Sequence, residues 1–196
     1  MWLIAGLGNP GPRYAQTAHN FGFDVCHLLA DRHAMVFGAS RIARGHVAQG
    51  VIHGQKVFLL LPTTYMNLSG EAVAPLARYY RIEPGHVLGV CDDVAIPWGR
   101  VRLRAGGSCG GHKGLRSMIQ HLGTDQFPRL RIGCAPENWR GDLAAYVLAP
   151  LRGEALDLAR HMVDVAADAV EYVIRDGVAA AQNVYNGYDA LRVEGE

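Results

Sequence analysis

The hydrophobic pattern of the chain switches repeatedly between short continuous runs and helical spacing. Residues 3–7 form a brief apolar run interrupted only by glycine, which predicts a buried strand. Across residues 19–34, Phe21, Val25, Leu28 and Leu29 recur at helical spacing. Residues 44–51 and 56–61 flank His53-Gly54, a hairpin signal. Leu59-Leu60-Leu61 then meets Pro62, which has no N–H for a ladder and ends the strand. Ser69 is a candidate N-cap for a helix over 71–80, where Val73, Leu76, Ala77 and Tyr80 share one face. A strand over 87–91 is expected to end at Asp92-Asp93, and residues 101–104 alternate apolar and basic as another strand. Leu115, Met118, Ile119 and Leu122 mark a helix over 112–122, and residues 130–134 read as a strand. The longest helix covers 154–175, with Gly177 as its C-cap.

Strands alternating with helices predict an α/β fold: one domain over residues 1–196, with a mixed, largely parallel twisted sheet flanked by helices. In such sheets sites form where loops leave the C-terminal ends of strands, so the loops at 8–18, 62–68, 92–99 and 105–112 are the candidates.

Composition narrows the classes. The chain has 196 residues, 49% of them hydrophobic and 19% charged, an ordinary globular balance that excludes global disorder. No apolar run approaches the ~20 residues of a membrane span, and the N-terminus reads as a first strand rather than a signal peptide. Cys26, Cys91, Cys109 and Cys134 are widely spaced, which suits a reducing cytoplasm better than a disulfide framework. Neither they nor the nine histidines show metal-ligand spacing, so no metal or cofactor is expected.

The net charge of +1 conceals an asymmetry. Residues 1–136 hold 14 Lys or Arg against 7 Asp or Glu, while residues 137–196 hold 5 against 11. The segment 94–124 has no acid but contains Arg100, Arg102, Arg104, Lys113 and Arg116. Such a stripe suits a phosphate-bearing partner or, equally, guards a strand edge from aggregation.

Gly6-Leu7-Gly8-Asn9-Pro10-Gly11 imitates a dinucleotide-binding loop. Pro10 and Pro12 remove the N–H donors that a pyrophosphate needs and disfavour helix before them, so that reading is set aside. His19 is a general-base candidate at a helix start, or a helix-capping histidine; as a base it needs an orienting carboxylate, Asp92 or its competitor Asp93. Pro62-Thr63-Thr64-Tyr65-Met66-Asn67-Leu68-Ser69-Gly70 is dense in hydrogen-bonding groups, and its Asn suits gripping a peptide group or forming a turn. The segment 105–114 is glycine-rich and basic but lacks the P-loop spacing; a mobile loop offering backbone donors and positive charge is expected. Cys109 beside His112 has nothing to orient the pair and reads as a structural or lining cysteine.

Taken together, the segment 3–11, Thr17-Ala18-His19-Asn20, the segment 62–70, Gly110-Gly111-His112-Lys113-Gly114-Leu115 and Arg129-Leu130-Arg131-Ile132-Gly133 closely resemble bacterial peptidyl-tRNA hydrolase, in order and almost to the end of the chain. The resemblance implies a monomeric, cytoplasmic, metal-independent enzyme that hydrolyses the ester between a peptide and the 3′ end of tRNA. It implies His19 as base, Asp92 as its orienter and Asn9 beside the catalytic water. Met66 and Asn67, with Tyr14, Tyr65, His112 and Lys113, are implied to contact substrate. Arg104 and Arg131 are implied to clamp the tRNA 5′ phosphate near the acceptor stem. Two departures carry weight. Ala18 replaces the family's Arg before the catalytic His, and Lys113 replaces the Asn after His112, either adding a cation to the catalytic shell or pointing out toward RNA. Two other functions share these residues: an RNA-binding, splicing-factor-like member of the fold that has lost hydrolysis, and a small-molecule esterase. The first would gain from Lys113 but leaves His19, Asp92, Asn9 and Asn67 unexplained, and the second leaves the basic stripe idle.

Overall fold

The apolar run that opens the chain becomes the middle of the sheet. β1 (Trp2–Gly6) is buried along its length and pairs in parallel with β4 (Gln55–Pro62) on one side and β5 (Val87–Pro97) on the other. β7 (Arg129–Ala135) continues the parallel set beside β5, and β6 (Val101–Arg104) closes that edge antiparallel. At the far edge β3 (Gly45–Ile52) runs antiparallel to β4, followed by the short β2 (Gly38–Ala39). The computed structural model, which describes residues 1–135 and 141–191, thus has one seven-stranded sheet ordered β2-β3-β4-β1-β5-β7-β6. The expected mixed sheet is observed, parallel at the centre and antiparallel at both edges.

Alternation along the strands divides the apolar side chains between two faces. Ile4, Leu59, Leu88 and Leu130 join Val25 and Leu29 of α1 (Phe21–Arg32) and the apolar side of α5 (Glu154–Asp176). Leu3, Ala5, Leu60 and Cys91 join Leu76 of α2 (Gly70–Tyr79) and Leu115 and Met118 of α3 (Lys113–Leu122). Removing both faces of the central strands from water is the main force holding the layers together. The hairpin turn is the two-residue type expected, with His53 and Gly54 both at positive φ. Gly177 ends α5 at φ 87 as anticipated.

Three expectations are corrected. Ser69 does not cap α2: it has helical φ and ψ, and its hydroxyl donates to the Met66 carbonyl while the Gly70 N–H donates to Ser117 Oγ. β5 does not stop at Asp92-Asp93 but runs to Pro97, because β7 keeps pairing with it across a register shift between Asp93 and Pro97. Most of the supposed 92–99 loop is therefore strand. The helices α4 (Leu143–Val147) and α6 (Val178–Tyr185), like β2, were too short to stand out in the pattern. Among the described residues no helix is long and apolar enough to cross a membrane.

Candidate active site

The glycines after β1 serve packing, not phosphate. A Cβ on Gly6 would meet the Gly22 carbonyl oxygen at 2.3 Å, and one on Gly8 would meet the Phe23 ring at 2.7 Å. Both allow α1 to press against the sheet. The first turn of α1, at Gly22 and Phe23, packs directly on these glycines, while Pro10 and Pro12 still deny the loop the N–H donors that a pyrophosphate needs. The close fit also delivers the 3-10 turn Ala18–Asn20, and with it His19, to the carboxyl end of the sheet.

There His19 Nδ1 lies 2.9 Å from Asp92 Oδ1. Asp92 sits on β5 opposite Ile132 of β7, two residues beyond the last pairing with β1 at Val90, and is only 4% exposed. The same oxygen receives His112 Nε2 at 3.2 Å. His112 is the N-cap of α3, its Nδ1 accepting the Leu115 N–H, so its proton must sit on Nε2. Both of its nitrogens are engaged. His19 has one engaged nitrogen, Nδ1, which donates to Asp92 and leaves Nε2 as the basic atom. Burial alone would raise the Asp92 carboxyl; hydrogen bonds from His112 and His19 outweigh it and hold the group below the ordinary carboxylate range. Asp93, the competitor, is occupied by Arg131 Nη1 at 2.9 Å.

Asn9 is held by three contacts. Its N–H donates to Asn20 Oδ1, its carbonyl accepts from Asn20 Nδ2, and its own Oδ1 accepts the Met66 N–H at 2.8 Å. With Oδ1 committed, its side-chain NH2 is the group left to donate. Asn67 lies exposed on the 3-10 turn Met66–Leu68 beside buried Met66, and exposed Tyr65 precedes them.

These groups line an open cleft of about 700 Å³ with Asn9, His19, Asp92, His112 and Lys113 at one side. Met66, Asn67 and Tyr65 also line it, and Leu143, Val147 and Leu148 from α4 and its C-terminal end add an apolar wall. Of the residues the sequence nominated, Tyr14 is not in the lining; the Arg13 guanidinium lies 5.8 Å from its ring centroid. Arg104 and Arg131 stand outside the lining, on adjacent strands. Arg104 is exposed opposite Arg129, whereas Arg131 reaches Asp93 and the Ser108 carbonyl. Cys109 packs against the core beside α3 and has no free base in His112.

The sequence missed three contributors. Asn20 sits inside a quoted motif but no pattern marked it as the clamp on Asn9. The α4 wall was too short to see. Arg129 is fully buried without a carboxylate, donating to the carbonyls of Gly107, Ser108, Asp125 and Phe127. It tethers the start of the glycine-rich loop that sequence alone read as mobile. His19, Asp92 and His112 also bring three donor atoms within 4.8 Å of one another, although they are far apart in sequence. A cation there would have to displace the protons by which both imidazoles bind Asp92.

A doubly wound sheet whose strand ends present an imidazole, a buried carboxylate and an oriented amide in one cleft defines an α/β enzyme equipped to activate water. A sequence model of the peptidyl-tRNA hydrolase family matches residues 3–193. A peptidyl-tRNA hydrolase of Chloroflexus aggregans is 48% identical over 187 residues, covering 95% of this chain and 99% of that protein. One of Roseiflexus sp. is 50% identical over 189 residues, covering 95% and 86%. The crystal structure of peptidyl-tRNA hydrolase from Acinetobacter baumannii superposes with a TM-score of 0.89 at 37% identity, covering 97% of this chain and 96% of that one. This chain belongs to the peptidyl-tRNA hydrolase family.

The Asn20 clamp has a measurable consequence. Asn20→Ala leaves the Asn9 N–H and carbonyl without partners, so unfolding free energy in urea should drop by ~1–3 kcal/mol. Hydrogen exchange at the Asn9 amide should accelerate at the same time. An Asn9 amide as protected as in the unaltered protein would refute the clamp.

Proposed function

We propose that this chain hydrolyses the ester joining the peptide to the 3′ end of tRNA in peptidyl-tRNA, returning tRNA and peptide for reuse after premature release from the ribosome. The observation that carries the reading is the His19–Asp92 contact at 2.9 Å, opening onto a cleft with a directed Asn9 amide. His19 Nε2 takes a proton from a water as its oxygen adds to the ester carbonyl. Asp92 holds the imidazole in the required tautomer and stabilises the imidazolium. The carbonyl oxygen, now negative, receives a hydrogen bond from Asn9 Nδ2. Collapse breaks the bond to the ribose oxygen, which leaves with the proton held on His19. Asn67 offers both a donor and an acceptor to the peptide main chain, with Tyr65, Met66 and α4 enclosing its side chains. The same reading has a monomer working in the cytoplasm on the acceptor stem, 5′ phosphate and 3′ end, and needing no metal.

His19→Ala should lower the single-turnover rate by at least ~10²-fold with tRNA binding nearly intact, and Asp92→Asn should lower it less. Only the neutral imidazole accepts a proton, so the rate falls as acid protonates His19; EDTA should leave it unchanged. Near-normal turnover by His19→Ala in a diacetyl-lysyl-tRNA assay would dismiss the mechanism.

Arg104 and Arg131 bind phosphate in this scheme, yet they are placed differently. Exposed Arg104 has no intramolecular partner among the described residues, so Arg104→Ala should raise KM, spare kcat, and reduce the log–log salt slope of tRNA binding by roughly 0.7–0.9. Arg131 also holds Asp93 and Ser108, so Arg131→Ala should lower kcat as well. Equal effects of the two variants on kcat would contradict the distinction.

Lys113 is exposed at the cleft rim and makes no hydrogen bond or ion pair with His19, Asp92 or Asn9. It shares a face of α3 with Arg116 and Gln120, which also line the rim. This favours the role toward RNA. Lys113→Asn should weaken tRNA binding in a salt-dependent way while the pH–rate profiles superimpose; a displaced acidic limb would return Lys113 to the catalytic shell.

A further inference from the structure

A second cavity, of about 410 Å³, opens between α1 and α5 and shares no lining residue with the cleft. Its size falls at the small end of the ~300–1,000 Å³ of ligand pockets. Its floor and walls are mainly apolar: Phe21 and Leu28 from α1, Leu156, Ala159 and Val163 from α5, and Leu151 from the segment before it. One rim is rigidly built, since Thr17 bridges to Pro150 and the Leu151 N–H donates to the Gln16 carbonyl at 2.8 Å.

Into this apolar setting α1 places Asp24, which has no hydrogen bond or ion pair among the described residues. The other charged groups lining the cavity, Arg160 and Asp164, come from α5 and each has a partner outside the cavity lining. Asp164 pairs with Arg32 at 3.2 Å, and Arg160 with Asp157 at 3.2 Å. The 16–17 and 151 segments contribute no charge. Burial pushes the Asp24 carboxyl up to about 6, as expected for an anion that has lost water and gained no partner. A partly desolvated carboxylate without a counter-charge is costly to keep, and a bound cation removes that cost.

We propose that this cavity is a binding site for a small organic cation, a primary ammonium that pairs with Asp24 and carries an aryl or alkyl body against Phe21, Leu28, Leu156 and Val163. Charge selects the class. An anion would meet Asp24 and Asp164, with Arg160, paired to Asp157 at the solvent side, the one cation in the lining, and a neutral molecule would leave Asp24 as it is. The shape of the walls asks for an apolar body of about ten heavy atoms or fewer, so an inorganic cation alone would leave them bare. The site stands apart from the reading of the cleft, though Thr17 and Phe21 lie two residues either side of His19.

The test is an amide-resolved NMR titration of the full chain with phenethylamine, alongside 2-phenylethanol and 3-phenylpropionate, at about pH 7.5. Phenethylammonium should shift residues 16–28 and 151–164 saturably and bind at least ~10-fold more tightly than the alcohol, with the carboxylate weakest. Asp24→Asn should abolish the preference for the amine. Leu156→Trp, which fills the cavity and leaves Asp24 in place, should abolish binding of all three. At about pH 5 the carboxyl, titrating about 6, is mostly protonated, so amine affinity should drop roughly tenfold while alcohol affinity holds. Equal affinity for amine and alcohol, an amine preference that survives Asp24→Asn, shifts confined to the His19 cleft, or no saturable shift at all would each overturn the proposal.

Discussion

The site depends on a single oxygen atom. Asp92 Oδ1 accepts from His19 and from His112, and Asp92 itself is held in β5 by its pairing with β7, just past the end of β1. A buried carboxylate is tolerable only when its charge is answered, and here two imidazole N–H groups answer it. That requirement ties the turn before α1, the middle of β5 and the cap of α3 to one point. The two imidazoles are not equivalent at that point. His112 has its other nitrogen taken by the helix it caps, and His19 does not. Which imidazole keeps a free nitrogen is therefore decided by what the second nitrogen does, not by distance to the carboxylate.

The same logic governs the amides. An Asn side chain is ambiguous until one end is committed, and Met66 commits the oxygen of Asn9. Asn20 then fixes the backbone that carries it. The resulting NH2 group is a donor held in advance, the kind of fixed dipole from which electrostatic catalysis gains most. Gly114 belongs to this arrangement too: a Cβ there would meet Met66 Sδ at 2.6 Å and Leu7 Cδ1 at 3.0 Å, so glycine lets the first turn of α3 lie against Met66 without displacing its side chain.

Sequence pattern was most informative where one physical term dominates. Long apolar periods marked the central strands and α5, and positive-φ turn chemistry marked His53-Gly54. His19, Asp92 and Asn67 stood out as candidates because loops at strand ends carried unusual polar residues, whereas Asn9 was nominated by the family resemblance alone. What escaped was decided by tertiary contact. Whether Asp92-Asp93 ends a strand depends on β7, about forty residues away. Whether Ser69 caps a helix depends on Ser117. Nor could any local rule reveal that Arg129 is buried without an acid or that Tyr14 is not in the cleft lining. A five-residue helix such as α4 carries too little periodicity to rise above its surroundings.

The basic stripe illustrates how one charge pattern can hold two different jobs. Cross-strand pairing sets Arg102 opposite Arg131 and Arg104 opposite Arg129, so four guanidinium groups share one face of β6 and β7. On the inner strand they turn into scaffold. Arg129 satisfies four carbonyls, and Arg131 joins Ser108 to Asp93, the immediate neighbour of Asp92. On the edge strand Arg102 and Arg104 remain exposed. Neutralising a phosphate from outside would recruit the edge pair at little structural cost, because nothing must be broken first. Recruiting Arg131 competes with Asp93 and with the carbonyl that steadies the glycine-rich loop. Arg131 thus links Asp93, the neighbour of Asp92, to the glycine-rich loop that ends in His112. Because Arg131 is already tied to Asp93 and Ser108, its substitution should not behave like that of a surface cation.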